Sequence, residues 1–182
     1  MLEPMPNVLL VTEDGTPMGT AEREAAHTSP GMLHHAFSAF VFRGGRQELL
    51  IQQRSKEKTL FPLVWANTCC SHLREGEVLP DAAQTRLHQE LGFTCPLKEV
   101  ASFVYRADDP NGQGTEYEYD TILIGNIQGN PPLKPDPQEV AATKWIATEE
   151  LTKDMHVHPL LYAPWFHLAL PMAMQWPRKL HY

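Results

Sequence analysis

The segment His34–Phe42, HHAFSAFVF, constrains the fold more than any other part of the sequence. It is short, apolar and rich in aromatic residues, which is typical of a buried β-strand. Gly44 and Gly45 follow it and predict a turn, so we expect Glu48–Gln53 to return as its hairpin partner. The core is therefore predicted to contain a β-hairpin.

The remaining elements predict a mixed sheet with helices gathered late in the chain. Further strands are expected at Val8–Thr12, Val100–Tyr105 and Glu116–Ile127, and a short edge strand around Trp145. Helices are expected at Thr20–Ala26, at Pro80–Leu91 and from Thr148 onward, with proline interruptions in the last third. This order of elements predicts an α+β layer fold.

Length and charge limit the class of protein. The 182 residues predict a single domain over 1–182, since a domain takes roughly 100–200 residues. With 15 basic and 22 acidic residues the net charge is −7, and a field of this sign repels nucleic acid and anionic membranes. A phosphate-bearing ligand therefore has to be held by a local group of cations or by a metal.

Cysteine usage and the apolar segments predict a cytoplasmic location. Three cysteines cannot all pair, and Cys69 and Cys70 are adjacent, so a disulfide framework is not expected. The first residues lack the basic region and apolar core of a secretion signal. The apolar stretch Pro159–Met174 is interrupted by Pro164 and Pro171, so we expect no membrane span.

The sequence EYEYD at residues 116–120 places carboxylates in alternation. On a strand, Glu116, Glu118 and Asp120 share one face, while Tyr117 and Tyr119 share the other. Like charges side by side are unfavourable unless water or a shared cation balances them. The residues alone favour a solvent-facing polar edge, and a shared cation is the alternative.

Histidines form a second candidate set, at His27, His34, His35 and His72. A single histidine is more often a surface group or a satisfied core group than a ligand. Three of them together with two carboxylates would supply five of the six positions around an octahedral metal. Such a set of nitrogen and oxygen ligands suits Mn, Fe, Mg or Zn.

The run WANTCCSH, Trp65–His72, contains the adjacent cysteines. If this run is a strand, Cys69 and Cys70 point in opposite directions, and one of them alone can face a pocket. Both can instead be small buried hydrophobes, and a zinc knuckle is disfavoured because Cys95 stands alone. A cysteine–histidine nucleophile remains an open alternative.

Four cations, Arg23, Arg54, Lys58 and Arg86, are informative in an acidic chain if they converge on one anion. The alternative is that the four side chains are separate and simply solvated at the surface. Arg86 and Glu90 lie four residues apart on the predicted helix, so they can simply form a surface ion pair worth about 0.3–0.5 kcal/mol.

Eight short motifs in chain order resemble the type 1 isopentenyl diphosphate isomerase family, a branch of the Nudix fold, from Gly19 to about Phe166. They are EAAHT (24–28), LHHAFSAFVF (33–42), QQRS (52–55), NTCCSH (67–72), TRLHQELG (85–92), YRA (105–107), EYEYD (116–120) and APWF (163–166). The resemblance implies an α/β/α sandwich around a mixed sheet, with an added N-terminal segment and C-terminal helices.

The resemblance also implies a reaction and its catalytic residues. Isopentenyl diphosphate and dimethylallyl diphosphate are interconverted by protonation and deprotonation, so the partner is a small allylic or homoallylic diphosphate. The implied acid and base are Cys70 and Glu116. Tyr105 is expected to hydrogen-bond Glu116, and Trp165 is expected to face the cationic intermediate. A monomer or weak homodimer is expected.

Two metal sites are implied as well. One ion, Mn²⁺, Mg²⁺ or Zn²⁺, is expected to be bound by His27, His34, His72, Glu116 and Glu118, with His35 on the opposite face. A second ion, Mg²⁺, is expected at Glu90, in contact with the diphosphate. The residues at the diphosphate-binding positions of the family are Arg23, Arg54, Lys58, Ser71 and Arg86.

The run Thr85–Gly92 departs from the motif of the Nudix hydrolases, which requires Arg-Glu-x-x-Glu-Glu before its glycine. Of these acids only Glu90 remains, and Arg86 stands where a carboxylate would bind metal. This departure argues against hydrolysis of the diphosphate. A Nudix pyrophosphohydrolase and a non-catalytic metal-binding module are nevertheless the two alternatives to be tested.

Overall fold

The computed structural model describes residues 7–176. Within them, one sheet contains β1 (Asn7–Val11), β2 (Pro17–Glu22), β3 (His34–Arg43), β4 (Glu48–Arg54), β5 (Trp65–Ala66), β6 (Cys69–His72), β7 (Lys98–Asp108), β8 (Thr115–Asn126) and β9 (Val140–Ala147). The helices are α1 (Arg23–His27), α2 (Leu79–Leu91), α3 (Thr148–Val157) and α4 (Pro164–Gln175), and Pro159–Leu161 forms a 3₁₀ turn.

Strand β3 gives the sheet its mixed character. It runs parallel to β8, with His34 opposite Glu118 and Phe42 opposite Asn126. Along its other edge it pairs antiparallel with β1, β6 and β4 in turn. The predicted hairpin of β3 and β4 is present, but the two strands pair only at Phe42 and Arg43. The longer ladder of β4 is with β9, on its other edge.

Different helices cover the two faces of the sheet. Phe40 and Phe42 of β3 belong to the same apolar cluster as Phe166 of α4, whereas Phe37 packs on the other face with Leu87 of α2. This division follows from the period of two along a strand, which sends successive side chains to opposite faces. The three layers confirm the predicted α+β sandwich with a mixed sheet.

Helix α2 carries the apolar stripe that its sequence predicted, with Ala83, Leu87 and Leu91 fully buried. It ends at Gly92, whose φ of +77° lies in the left-handed region that glycine adopts without strain. A side chain at this position would meet Cβ of Lys134 at 2.6 Å. Gly92 therefore allows the loop before β9 to cross directly over the end of the helix.

The predicted helix over Thr20–Ala26 is wrong in its first half. Strand β2 continues through Glu22 because it pairs residue by residue with β1, and α1 begins only at Arg23. A short segment has little helical stability of its own, so pairing with a neighbouring strand decides its structure. The other predicted strands and helices are present with small shifts in their ends. Across residues 7–176, no helix has both the length and the apolar composition needed to span a bilayer.

Candidate functional site

A cleft of about 120 Å³ wraps around strand β6 and reaches residues on both of its faces. Its lining includes most of the side chains that the sequence singled out: Arg23, Arg54, Lys58, Cys70, Ser71, His72, Arg86, Tyr105, Glu116, Glu118 and Trp165. His27 borders an adjoining pocket that shares Arg23, Arg54, Lys58 and Glu116. His34 and Glu90 are buried, with 0% and 2% of their surface exposed.

Three histidines and two glutamates converge at one end of this cleft. They are His27 at the end of α1, His34 at the start of β3, His72 at the end of β6, and Glu116 and Glu118 of β8. Each offers one ligand atom, and these five atoms all lie within 4.8 Å of one another. The predicted combination of nitrogen and oxygen ligands is therefore brought together from four separate elements.

Contacts outside the cluster set the orientation of the imidazoles. Nδ1 of His27 lies 2.6 Å from the carbonyl oxygen of Arg23, and Nδ1 of His34 lies 2.7 Å from that of Met32. A carbonyl only accepts hydrogen bonds, so Nδ1 carries the proton in both rings and Nε2 keeps its lone pair. Both unprotonated Nε2 atoms face the carboxylates of the cluster.

The donor atoms of the cluster fit a divalent cation. Nε2 of His34 is buried and has no hydrogen-bond partner within residues 7–176, and it lies 3.6 Å from Oε1 of Glu118. The corresponding nitrogen of His72 lies 2.9 Å from the same oxygen. Burial holds the pKa of His72 well below its usual value, so this imidazole is neutral and able to act as a ligand.

Gly114 allows the loop before β8 to approach the end of α1. A Cβ at this position would lie 2.5 Å from the carbonyl oxygen of His27. The loop passes so close that Thr115, the first residue of β8, hydrogen-bonds Ser29 just beyond α1, at 2.8 Å between the hydroxyl oxygens. The absence of a side chain at Gly114 thus contributes to the meeting of His27 and Glu116.

The polar face of EYEYD is buried, and the solvent-facing interpretation that the residues alone favoured is wrong. Strand β8 lies between β3 and β7, so neither edge is free. Glu116, Glu118 and Asp120 are 6%, 7% and 1% exposed. Oδ2 of Asp120 accepts a hydrogen bond of 2.7 Å from the hydroxyl of Ser38. Burial and the charge of Glu118 raise the pKa of Asp120 well above its usual value.

The two adjacent cysteines face opposite sides of β6, as the alternation along a strand predicted. Cys69 packs in the apolar cluster of α2, whereas Cys70 lines the cleft. Sγ of Cys70 donates a hydrogen bond of 3.0 Å to Oδ1 of Asn67. Burial raises the pKa of Cys70 to about 12, so the group is a protonated thiol at neutral pH.

Tyr105 contacts a different glutamate from the one expected. Its hydroxyl donates a hydrogen bond of 2.5 Å to Oε2 of Glu118, and the predicted bond to Glu116 is wrong. Tyr105 of β7 stands directly opposite Glu118 in the register of β7 and β8, and Ala107 stands opposite Glu116. This register runs unbroken from the pair Asp108 and Thr115 beside the loop, so it depends on the length of the loop between the strands.

Trp165, in the first turn of α4, forms the wall of the cleft beside Cys70. It is 3% exposed, and its Nε1 donates a hydrogen bond of 3.1 Å to Oδ1 of Asn67. Its ring centroid lies 6.2 Å from that of Tyr105, and the guanidinium carbon of Arg54 lies 5.2 Å from the ring. An aromatic surface and a cation therefore adjoin the thiol.

Glu139, which the sequence analysis did not single out, pairs with two of the cleft's cations. Its Oε1 lies 2.7 Å from Nη2 of Arg86, and its Oε2 forms an ion pair with Nζ of Lys58. Nε of Arg86 also bonds Oε1 of Glu90 at 2.8 Å, while Oε2 of Glu90 accepts from Gln52. Because Glu90 is buried, the surface ion pair considered from the sequence is wrong, and Arg86 lies between two carboxylates.

Comparison with known proteins identifies close relatives over nearly the whole chain. The family model for the NUDIX domain matches residues 32–166. An isopentenyl-diphosphate Delta-isomerase of Halorhodospira halophila is 43% identical over 162 residues, covering 89% of this chain and 91% of the relative. Another of the same name, from Nocardia farcinica, is 44% identical over 167 residues, covering 91% and 93%.

Solved structures resemble this fold at low sequence identity. The crystal structure of DR0079 from Deinococcus radiodurans superposes with a TM-score of 0.69 at 19% identity, covering 94% of this chain and 99% of that one. A MutT protein from Methanosarcina mazei gives a TM-score of 0.61 at 12% identity, covering 79% and 94%. Both likenesses concern the arrangement of the backbone.

Proposed function

Because the chain belongs to the NUDIX domain family and, within it, to the isopentenyl-diphosphate Delta-isomerases, we propose that it interconverts isopentenyl diphosphate and dimethylallyl diphosphate. The observation that carries this proposal is the position of the Cys70 thiol, which lines the same cleft as Glu116 and Glu118. Shifting the double bond requires a proton at the terminal carbon and the loss of another from the allylic carbon. One acid and one base have to face the five-carbon chain for this.

Cys70 is the proposed acid. Its high pKa keeps the proton on sulfur until the alkene takes it, and the S–H bond then breaks as the new C–H bond forms. The positive charge that appears on the neighbouring carbon would lie beside the indole of Trp165. Attraction between a cation and an indole is worth about 2 kcal/mol or more when both are desolvated. Trp165 is 3% exposed, so its ring meets the desolvation condition.

Glu118 is better placed than Glu116 to be the base. Across β3, Cys70 lies opposite Ser38, which in turn lies opposite Ile122 of β8. Glu118 is four residues along β8 from that row, and Glu116 is six. At about 3.3 Å per residue, the two further residues place Glu116 about 7 Å farther along the strand from the row of Cys70. We therefore assign proton removal to Glu118 and keep Glu116, which the family resemblance implied, as the alternative.

The metal centre is proposed at the five-residue cluster of His27, His34, His72, Glu116 and Glu118. A Mn²⁺, Mg²⁺ or Zn²⁺ ion bound there would balance the charge of the two buried carboxylates. Tyr105 would orient Glu118 through their hydrogen bond, so that one carboxylate oxygen remains directed toward the substrate.

The diphosphate is proposed to bind at the cationic side of the cleft, to Arg23, Arg54, Lys58, Ser71 and Arg86. Two hydrogen bonds, from Nε to the carbonyl of Phe61 and from Nη2 to that of Leu60, hold Arg54 in place. For Glu90 we propose contact with a Mg²⁺ that accompanies the diphosphate. Arg86 would then exchange its bond to Glu90 for a phosphate oxygen, which accepts bidentate hydrogen bonds equally well.

The direct test is isotope exchange in D₂O with Mg²⁺ present. The purified protein should incorporate deuterium into isopentenyl diphosphate and form dimethylallyl diphosphate. Cys70→Ala should abolish turnover and retain substrate binding, whereas Cys69→Ala, the buried neighbour on the other face of β6, should remain active. Absence of exchange with folded, metal-loaded protein, or release of phosphate from nucleoside diphosphates instead, would refute the proposal.

The choice of base is tested by Glu118→Gln and Glu116→Gln at saturating metal, with the metal content of each variant measured. Loss of a general base lowers kcat by about 100-fold or more, and we expect this for Glu118→Gln. Glu116→Gln should bind metal more weakly and regain turnover when metal is supplied in excess. The opposite pattern would assign the base to Glu116.

A further inference from the structure

Asn67 connects the thiol of Cys70 to the indole of Trp165. It lies between β5 and β6 and is fully buried. Its Nδ2 donates to the carbonyl oxygens of Ala39 and Cys69, at 3.1 and 2.9 Å. Its Oδ1 accepts from Sγ of Cys70 at 3.0 Å and from Nε1 of Trp165 at 3.1 Å. All the hydrogen-bonding capacity of the amide is therefore used.

This network permits one orientation of the amide. Carbonyl oxygens can only accept, so the NH₂ group has to face Ala39 and Cys69. The indole N–H can only donate, so the amide oxygen has to face Trp165. The proton of the Cys70 thiol is consequently directed at the same oxygen. A single acceptor thus locates the sulfur and the indole relative to each other.

We propose that Asn67 is a positioning residue of the isomerisation, which holds the Cys70 sulfur and the Trp165 ring next to each other beside one reacting centre. This inference rests on the proposed function. The S–H bond turns away from Oδ1 about the Cβ–Sγ bond, the proton passes from sulfur to the terminal carbon, and the positive charge appears on the adjacent carbon. The sulfur and the ring therefore need a fixed relative position, so that the indole already lies beside the charge when it forms. The bond from the indole N–H to Oδ1 also polarises the ring toward greater electron density.

Thr68 provides the matched control. It is the next residue, it is also fully buried, and it also bridges strands. Its hydroxyl donates to the carbonyl of Leu50 at 2.6 Å and accepts from the amide of Val41 at 2.8 Å. These contacts are with backbone groups of β3 and β4. Truncating Thr68 therefore removes buried hydrogen bonds without loosening the thiol or the indole.

Kinetics of Asn67→Ala and Thr68→Ala separate positioning from stability. Both variants should lose thermal stability. Asn67→Ala should also lose about 100-fold in kcat beyond the loss in Thr68→Ala, with KM for isopentenyl diphosphate unchanged, because the hydrogen bonds of Asn67 go to none of the residues proposed to hold the diphosphate. Equal kcat in the two variants, or a loss confined to KM, would overturn the proposal. Inactivity of the wild-type protein would instead refute the proposed function.

Spectroscopy tests the same contacts without substrate. The ¹H–¹⁵N signal of the Trp165 indole, identified by its loss in Trp165→Phe, should move upfield in Asn67→Ala and stay in place in Thr68→Ala. Should Asn67→Ala fail to fold, the wild type is sufficient: the indole N–H should exchange with D₂O more slowly than that of half-buried Trp145. The S–H stretch of Cys70 should also lie at lower frequency than that of Cys95. Rapid exchange and an unshifted S–H band would refute the shared acceptor.

Discussion

Replacing Glu139 by glutamine should lower stability and strengthen anion binding at the same time. The carboxylate pairs with Arg86 and Lys58, and its side chain is 24% exposed. Burial alone would raise the pKa of Glu139, but the two cations outweigh this effect and lower the pKa from 4.5 to about 2. This lowering corresponds to about 3 kcal/mol in favour of the charged form in the folded protein. Partial solvent screening reduces the expected loss in Glu139→Gln at pH 7 to about 1–2 kcal/mol.

The pH dependence of this difference has a definite sign. A carboxylate whose pKa is lowered by folding stabilises the protein above its unfolded pKa and loses that contribution as the pH falls through its folded pKa. The stability difference between the wild type and Glu139→Gln should therefore be constant above about pH 5.5 and shrink as the pH falls from 4.5 toward 2. Urea unfolding at a series of pH values measures it.

Anion binding should change in the opposite direction. In the free protein Glu139 neutralises Arg86 and Lys58, so a diphosphate has to compete with it. Removing one negative charge at this distance favours an incoming anion by roughly 1–3 kcal/mol, about fivefold or more in Kd. Calorimetry with inorganic diphosphate in metal-free buffer measures this, and Glu48→Gln, which breaks a similar pair with Arg43, is the control. Weaker binding by Glu139→Gln would refute the idea of competition.

Two further predictions follow from the metal cluster and from the end of α2. Removing the metal with a chelator should lower the melting temperature. The free energy of unfolding should fall by about 2.7 kcal/mol if the metal had been present at 100 times its Kd. His34→Ala should abolish this dependence and His35→Ala should keep it, so equal melting curves with and without metal in the wild type would contradict the site. Gly92→Ala should destabilise the protein by more than Gly129→Ala, because both have positive φ but a side chain at Gly92 alone meets a neighbour. The strain itself is worth about 1–2 kcal/mol, and equal urea midpoints for the two variants would refute the clash.

The alternation in EYEYD illustrates what sequence can and cannot predict about this site. Because successive side chains of a strand point to opposite faces, the spacing alone was enough to place Glu116, Glu118 and Asp120 on one face. Which face is covered depends on where β8 lies in the sheet, between β7, which precedes it in the chain, and β3, which comes from a distant part of the chain. The partner of Tyr105, Glu118 rather than Glu116, depends on the register of the β7–β8 hairpin, which is set by the loop between these two strands.

Asn67 and Glu139 show a second limit of prediction from sequence, namely that it does not reveal side-chain partners far apart in the chain. Asn67 meets Trp165 across 98 positions of sequence, and Glu139 meets Lys58 across 81. Neither residue has a periodic or local pattern that would point to its partner, because side-chain hydrogen bonds across a fold leave no spacing rule. The alternation along a strand, a local property, predicted that one of Cys69 and Cys70 faces the cleft, and the family resemblance implied that it is Cys70.

The attachment of α4 to the edge of the sheet has a consequence for how the enzyme is made. The amide of Ala163 bonds the carbonyl of Trp65 at 2.9 Å, which sets Trp165 over Asn67. The five residues of the proposed metal cluster end at Glu118, whereas α4 begins at Pro164, so synthesis from the N-terminus produces the thiol and the cluster before the wall beside them. Until α4 packs against β5, Cys70 lacks the indole that adjoins it in the folded protein.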